Sequence, residues 1–197
     1  MCSRVCSCRM IETGGVTRAA LQRSTAMIED AFDILGLVPA FDLDRAAIDR
    51  AFLARAVAVH PDLAGGESEA EALSARLNDA KRLLLDPETR ANLLLSHLGG
   101  PAADKVKSVP STLLGEVMEA REGVDAARAS GDAAELARWK AWAIDGLESI
   151  VKTCRQLFAV ALAAPAGSGD PKVLREIRVQ LNAWRSYQRM IEQMDAR

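Results

Sequence analysis

The chain has 197 residues; 49% are apolar and 26% charged, but only eight are Phe, Trp or Tyr while 35 are Ala. That composition favours Ala/Leu-rich helices over strands, which draw on β-branched and aromatic side chains, and its charge content is that of a globular protein and not of a disordered tail. No apolar run approaches the roughly 18 residues of a membrane-spanning helix. Residues 27–100 carry seven Lys and Arg against thirteen Asp and Glu, which argues against binding nucleic acid through a cationic surface.

Residues 1–26 hold four basic residues, one acid, and the cysteines Cys2, Cys6 and Cys8. They read as a leader outside the folded body: a disordered segment, an organellar transit segment, or an extension upstream of a start at Met27. The spacing C-x3-C-x-C does not close a tetrahedral zinc site by itself, and neither His60 nor His97 belongs to a ligand pair. No metal and no other cofactor is expected. Cys154, far along the chain in a helical pattern, reads as a small buried apolar residue.

From Met27 the pattern is regular. Phe32, Ile34, Leu35 and Leu37 form a short helix stopped by Gly36 and Pro39. A second helix starts near Asp42 or Asp44, places Ile48, Phe52, Ala56 and Val59 on one face, and ends at His60 because Pro61 disfavours the helical region for the residue before it. After a loop with Gly65 and Gly66, Ser68 and Glu71 have the spacing of a capping box ahead of the stripe Leu73, Leu77, Ala80 and Leu84. Asp86 and Pro87 supply an N-cap and first-turn proline for a fourth helix carrying Ala91, Leu94 and Leu98, ended by Gly99 and Gly100.

Residues 101–110, bounded by Pro101 and Pro110, read as a linker. Ser111 or Thr112 then caps a helix with the stripe Leu113, Val117, Ala120, Val124 and Ala127, broken at Ser130-Gly131. Asp132 and Glu135 restart a longer helix with Leu136, Trp139, Ala143, Leu147, Ile150, Cys154, Leu157 and Ala161. A Gly/Pro-rich turn at 165–170 precedes a last helix, opened by Pro171, with Leu174, Ile177, Leu181, Trp184, Gln188 and Ile191. The expected fold is all-α: a helical hairpin with short helices over 27–100, then an antiparallel three-helix bundle over 111–197.

The tripeptide His60-Pro61-Asp62 sits between two amphipathic helices. Pro61 fixes its own φ and biases His60 to an extended conformation, so the flanking side chains are presented from a stiff turn, where Asp62 can take a charge-assisted hydrogen bond from a cation on a partner. In order along the chain, Phe32-Asp33-Ile34-Leu35-Gly36-Leu37, His60-Pro61-Asp62 and Leu77-Asn78-Asp79-Ala80 resemble the landmarks of a J domain, the part of a co-chaperone that engages a DnaK-like ATPase. Residues 86–100, Asp86-Pro87-Glu88-Thr89-Arg90-Ala91-Asn92 onward, resemble the fourth helix of the HscB-type co-chaperones of iron-sulfur cluster assembly, with Asn92 where the family has Tyr. Residues 113–122 resemble that family's stretch at the start of its C-terminal domain.

The resemblance implies a J domain over 27–100 that binds a DnaK/HscA-like chaperone through His60, Pro61 and Asp62 and through the second-helix cations Arg45, Arg50 and Arg55. In J domains a basic second helix steers the acidic ATPase. Here those three arginines face Asp42, Asp44 and Asp49, and Leu63 stands where Lys is usual, so weaker or less salt-dependent binding is expected.

In the bundle, Leu114 and Met118 lie four residues apart beside the core stripe, followed by Glu119 and Glu122. Such a pair is either a client-binding patch or the edge of a wide core face. The resemblance favours the patch, since this region of the family docks an IscU-like iron-sulfur scaffold protein. The reading is therefore a co-chaperone, itself no enzyme, working in a bacterial cytoplasm or alternatively a mitochondrial matrix. Its rivals are a thiol or metal protein using the cysteines, and a J-domain protein whose bundle binds a different client or self-associates.

Overall fold

The computed structural model describes residues 30–58, 67–164 and 169–196. The leader with its three cysteines, the tripeptide His60-Pro61-Asp62, the loop glycines 65 and 66 and the turn 165–168 lie outside them. Among the described residues every regular element is a helix: α1 (Ala31–Leu35), α2 (Arg45–Ala58), α3 (Glu67–Leu85), α4 (Pro87–His97), α5 (Ser111–Ser130), α6 (Ala133–Ala163) and α7 (Pro171–Asp195).

The helix ends follow local chemistry. The Asp30 carboxylate accepts from the Phe32 N–H at 3.1 Å, and α1 stops at Gly36, whose φ of 67° is left-handed. Asp86 accepts from Thr89 N–H at 2.8 Å, Asp132 from Glu135 N–H at 3.0 Å and Asp170 from Lys172 N–H at 2.8 Å. Two expected caps are corrected. α3 already begins at Glu67, so Ser68 is helical backbone and not an N-cap. α5 has Pro110 at its N-cap with no side-chain hydrogen bond, which puts Ser111 in the first turn; a proline fixed at φ -51° sets the helix entry without any hydroxyl.

Two cores form. The first gathers Phe32, Leu35, Ile48, Leu77, Leu84, Leu94 and Leu95 from the N-terminal helices and Phe41 from the α1–α2 loop. It also includes Cys154, Phe158 and Ala161 of α6 and Leu174, Ile177, Leu181 and Trp184 of α7. Phe41 stacks on Phe158 at 5.2 Å between ring centres and meets Trp184 edge-on at 6.3 Å. The second core joins Leu113, Ala120 and Val124 of α5 to Ala143 of α6 and Ala183, Tyr187, Met190 and Met194 of α7. Leu147 and Ile150 pack against both. α6 and α7 thus form one antiparallel pair that lies against the N-terminal helices with one end and against α5 with the other.

Two glycines permit the close approach of aromatic rings in the bundle. A Cβ on Gly123 of α5 would collide with the Trp139 indole, and one on Gly146 of α6 with the Tyr187 ring. The buried stripe of the last helix continues through Tyr187, Met190 and Met194; of the two positions the sequence suggested, Ile191 packs half-buried against the second core and Gln188 is half-buried. The shift reflects two partners: Leu174, Ile177, Leu181 and Trp184 face the first core, while Ala183, Tyr187, Met190 and Met194, one position earlier in phase, face the second.

Residues 101–110 pack closely against the last helix. Val106 is buried, Pro101 O accepts from Arg178 Nε at 2.8 Å, and Asn182 Nδ2 donates to Val106 O at 2.8 Å and Ser108 O at 2.9 Å.

Candidate functional site

The helices that flank the tripeptide, α2 and α3, pack against each other and against α1. Their inner faces bury Ile48, Leu77, Ala80 and Leu84. In the Leu77-Asn78-Asp79-Ala80 run, Ala80 is core, Asn78 donates to Ser74 O at 2.9 Å and Asp79 holds Arg82 at 3.1 Å. The three arginines of α2 do not form one patch. Arg45 lies at the α3 edge, 4.0 Å from Asp49, and Asp49 is bonded at 2.8 Å to Lys81 of α3. The Lys81 hydrogen bond holds the Asp49 carboxyl below the usual carboxylate range. The Arg55 guanidinium is turned onto Gly36, where any Cβ would collide with it. Arg50 points outward, exposed, and shares its strip with Leu53 and Val57, 61% and 75% exposed.

On α5, Leu113 is buried while its neighbour Leu114 is 63% exposed and Met118 is 58% exposed. The rotation of about 100° per residue separates them, carrying 113 to the core and 114 and 118 to its flank. Glu119 and Glu122 are exposed. Glu122 lies four residues beyond Met118 and so continues that strip, whereas Glu119 is turned about 100° away around the helix.

Between these faces lies a polar junction. Arg90 Nε donates to Phe41 O at 2.9 Å and its Nη1 to Leu84 O at 2.5 Å, joining α4 to the end of α3 and to the α1–α2 loop. Arg178 of α7 is 6% exposed and donates from Nη1 to Asn92 Oδ1 at 2.6 Å as well as to Pro101 O. Burial pulls both guanidinium pKa values down; both remain charged, since arginine does not deprotonate in proteins. Arg155 bonds Asp42 at 2.7 Å, and Arg185 bonds Glu88 at 3.0 Å. Sequence reasoning missed Arg178. The available signal was a cation on the apolar stripe itself, one residue after Ile177 and three before Leu181.

Reactive groups are few among the described residues. Cys154 is fully buried, and desolvation pushes its thiol up to about 12, so it stays a protonated packing group. His97 Nδ1 lies 2.7 Å from Asp30 Oδ2, with its ring edge-on to Phe32; Asp30 thereby caps α1 with one oxygen and ties it to the end of α4 with the other. Among the described residues no three His, Cys, Asp or Glu side chains are grouped to hold a metal ion, and no helix is long and apolar enough to cross a membrane.

The DnaJ domain family matches residues 30–93. The HscB co-chaperone homologue of Chromobacterium violaceum is 36% identical over 113 residues, 54% of this chain and 65% of that protein. Its counterpart from Bordetella petrii is 35% identical over 136 residues, 66% of this chain and 79% of that protein. The chain thus spans just under two thirds of the first relative's length and more of the second's. The structure of the chaperone HscB from Vibrio cholerae has the same fold, with a TM-score of 0.63 at 22% identity over 84% of this chain and 95% of that one.

Proposed function

Because the chain belongs to the HscB-type J-domain co-chaperones, we propose that it stimulates ATP hydrolysis by a DnaK/HscA-like chaperone and delivers to it an IscU-like iron-sulfur scaffold protein. Its N-terminal helices would engage the ATPase through His60, Pro61 and Asp62 and the outer side of α2, and the scaffold would dock on α5. The protein itself binds no nucleotide in this scheme and carries out no chemistry. Its work is to hold two partners together, raising the effective concentration of each for the other. We place this work in a bacterial cytoplasm.

The observation that best supports the reading is the phase of α5. Leu114 and Met118 stand exposed one step out of register with a filled core on a helix that is otherwise polar outward, and a monomer gains nothing from leaving such a pair in water. A purified HscA-type ATPase assayed with the chain, with and without an IscU-type scaffold, tests it. Stimulation by the chain that rises further with scaffold is expected; a chain that neither stimulates nor binds scaffold refutes it.

A further inference from the structure

The outer strip of α2 is largely apolar, beyond the weakly basic character expected of this helix from its sequence. Turning the helix at about 100° per residue places Ala46, Arg50, Leu53, Ala54 and Val57 on one side, and all five are exposed. Opposite them, Ile48 is buried and Ala51 and Phe52 pack on the first core. A helix apolar on both sides is one that is covered on both sides, and among the described residues only the inner side is covered. The charges that would make the outer side polar are used elsewhere. Arg55 lies on Gly36, Arg45 and Lys81 share Asp49, and Asp42 is held by Arg155.

We infer that Leu53 and Val57 form the principal anchor on α2 for the chaperone ATPase, with Arg50 as a single flanking cation, so that docking on this helix is driven by apolar burial and not by charge steering. The inference rests on the co-chaperone reading, and it commits to an ATPase surface with an apolar strip bordered by one acidic group. Two things on the molecule select that occupant: Arg50 flanks the strip as its one cation while the carboxylate on the other flank, Asp49, is taken up by Lys81 at 2.8 Å, and the strip runs along the helix that leads directly into the His60-Pro61-Asp62 tripeptide. Removing exposed aliphatic side chains from a helix in favour of Ala leaves the fold intact, since Ala is the better helix former.

Stimulation of a purified HscA-type ATPase, titrated with the full-length chain at roughly 50 and 300 mM salt, tests this. Leu53→Ala/Val57→Ala should raise the half-maximal concentration by about tenfold or more, as for loss of an interface anchor. Arg50→Ala and the salt change should each shift it by less than about threefold. Leu53→Lys separates the two kinds of docking, because apolar docking predicts a loss and charge steering toward an acidic ATPase predicts a gain. A double variant that titrates like the unmodified chain, or a Leu53→Lys gain, overturns the inference while leaving the co-chaperone reading intact. If the unmodified chain fails to stimulate, that reading falls and the inference with it. Sedimentation of the chain alone supplies the remaining arm: a dimer dispersed by Leu53→Ala/Val57→Ala would assign the strip to a second copy and overturn the inference.

Discussion

Asn92 on α4 accepts a 2.6 Å hydrogen bond from the guanidinium of Arg178 on α7, across 86 residues of sequence. Asn92 stands where the family motif has a Tyr, and its other amide atom donates to Glu88 O at 2.9 Å, so the side chain is spent on both its own helix and its neighbour. With Pro101 O, it supplies the buried Arg178 with two neutral acceptors. Arg178→Ala should therefore cost about 3 kcal/mol, from orphaned acceptors and lost packing, while Arg178→Met, which keeps the stem, should cost less. Asn92→Ala should cost about 1–3 kcal/mol by leaving the buried charge under-bonded. Urea unfolding of the three variants measures this, and equal stabilities for all of them would remove the junction from the account of the fold.

Replacing His60 with Gln or Asp62 with Asn should abolish ATPase stimulation. Helicity and Tm should barely move, because the sequence pattern sets the tripeptide between two amphipathic helices and outside their apolar stripes, and substitutions away from a core shift stability by about 0.5 kcal/mol. Normal stimulation by both variants would separate this chain's activity from its family's.

Truncating Leu114 and Met118 together to Ala should cost the bundle little, since both are exposed, whereas the same change at buried Leu113 should cost roughly 2–5 kcal/mol. Scaffold affinity should fall about ten- to a thousandfold. Because Glu119 is rotated off the strip that Glu122 continues, Glu122→Gln should alter the salt dependence of binding more than Glu119→Gln. Calorimetry with an IscU-type scaffold reads both, and unchanged affinity in the double variant would discard the patch.

Cys154 makes stability depend on alkaline pH. Its thiol is raised from 9.0 to about 12 by desolvation, so the folded state holds that proton more tightly than the unfolded state. Its contribution is complete below pH 9 and is lost as pH rises through about 12, with a slope of up to about 1.4 kcal/mol per pH unit in between. Cys154→Ala should flatten that part of the curve. In a variant with Cys2, Cys6 and Cys8 replaced by Ser, the remaining thiol should react with a disulfide reagent at pH 8 only as fast as the chain opens; immediate reaction would show it to be accessible.

Two glycines of α5 should respond to Ala in opposite directions. Nothing lies within 4 Å of a Cβ at Gly115, so Gly115→Ala should stabilise by up to about 1 kcal/mol through helix propensity. At Gly123 the new methyl meets the Trp139 indole, and Gly123→Ala should destabilise by about 1–3 kcal/mol. Thermal melts that move the same way would contradict the packing described.

Much of this architecture was legible along the chain, because helix ends are written in single residues. Asp86 and Asp132 cap with their own carboxylates, and Gly36 and Gly131 take up the left-handed conformation that other residues avoid. The one-residue offset between Leu113 and Leu114 was equally readable, being a matter of phase within one helix. What periodicity cannot carry is which helix faces which. Arg178, Phe158 and the seating of residues 101–110 on α7 each depend on a partner some 75 or more residues away, and in the sequence Arg178 is only a cation in an apolar row. The arginines of α2 show the same limit. Three cations counted along a helix were assigned together to one partner, whereas Arg55 is turned onto Gly36 and Arg45 lies beside Asp49, so only Arg50 stands on the outer strip.

The passage of α6 and α7 through both cores turns the molecule into a ruler. A helix of 31 residues is about 46 Å long, and Leu147 and Ile150, near its middle, touch both cores. The ATPase and the scaffold would then be held at a spacing and a rotation set by helix geometry, unlike two modules on a floppy tether that sample many separations. Adding one residue to both helices at that midpoint would turn one docking face against the other by about 100° while lengthening the span by only about 1.5 Å. In such a device the count of residues between the two cores fixes the relative orientation of the two docking faces, and so belongs to the binding surface as much as any side chain on it.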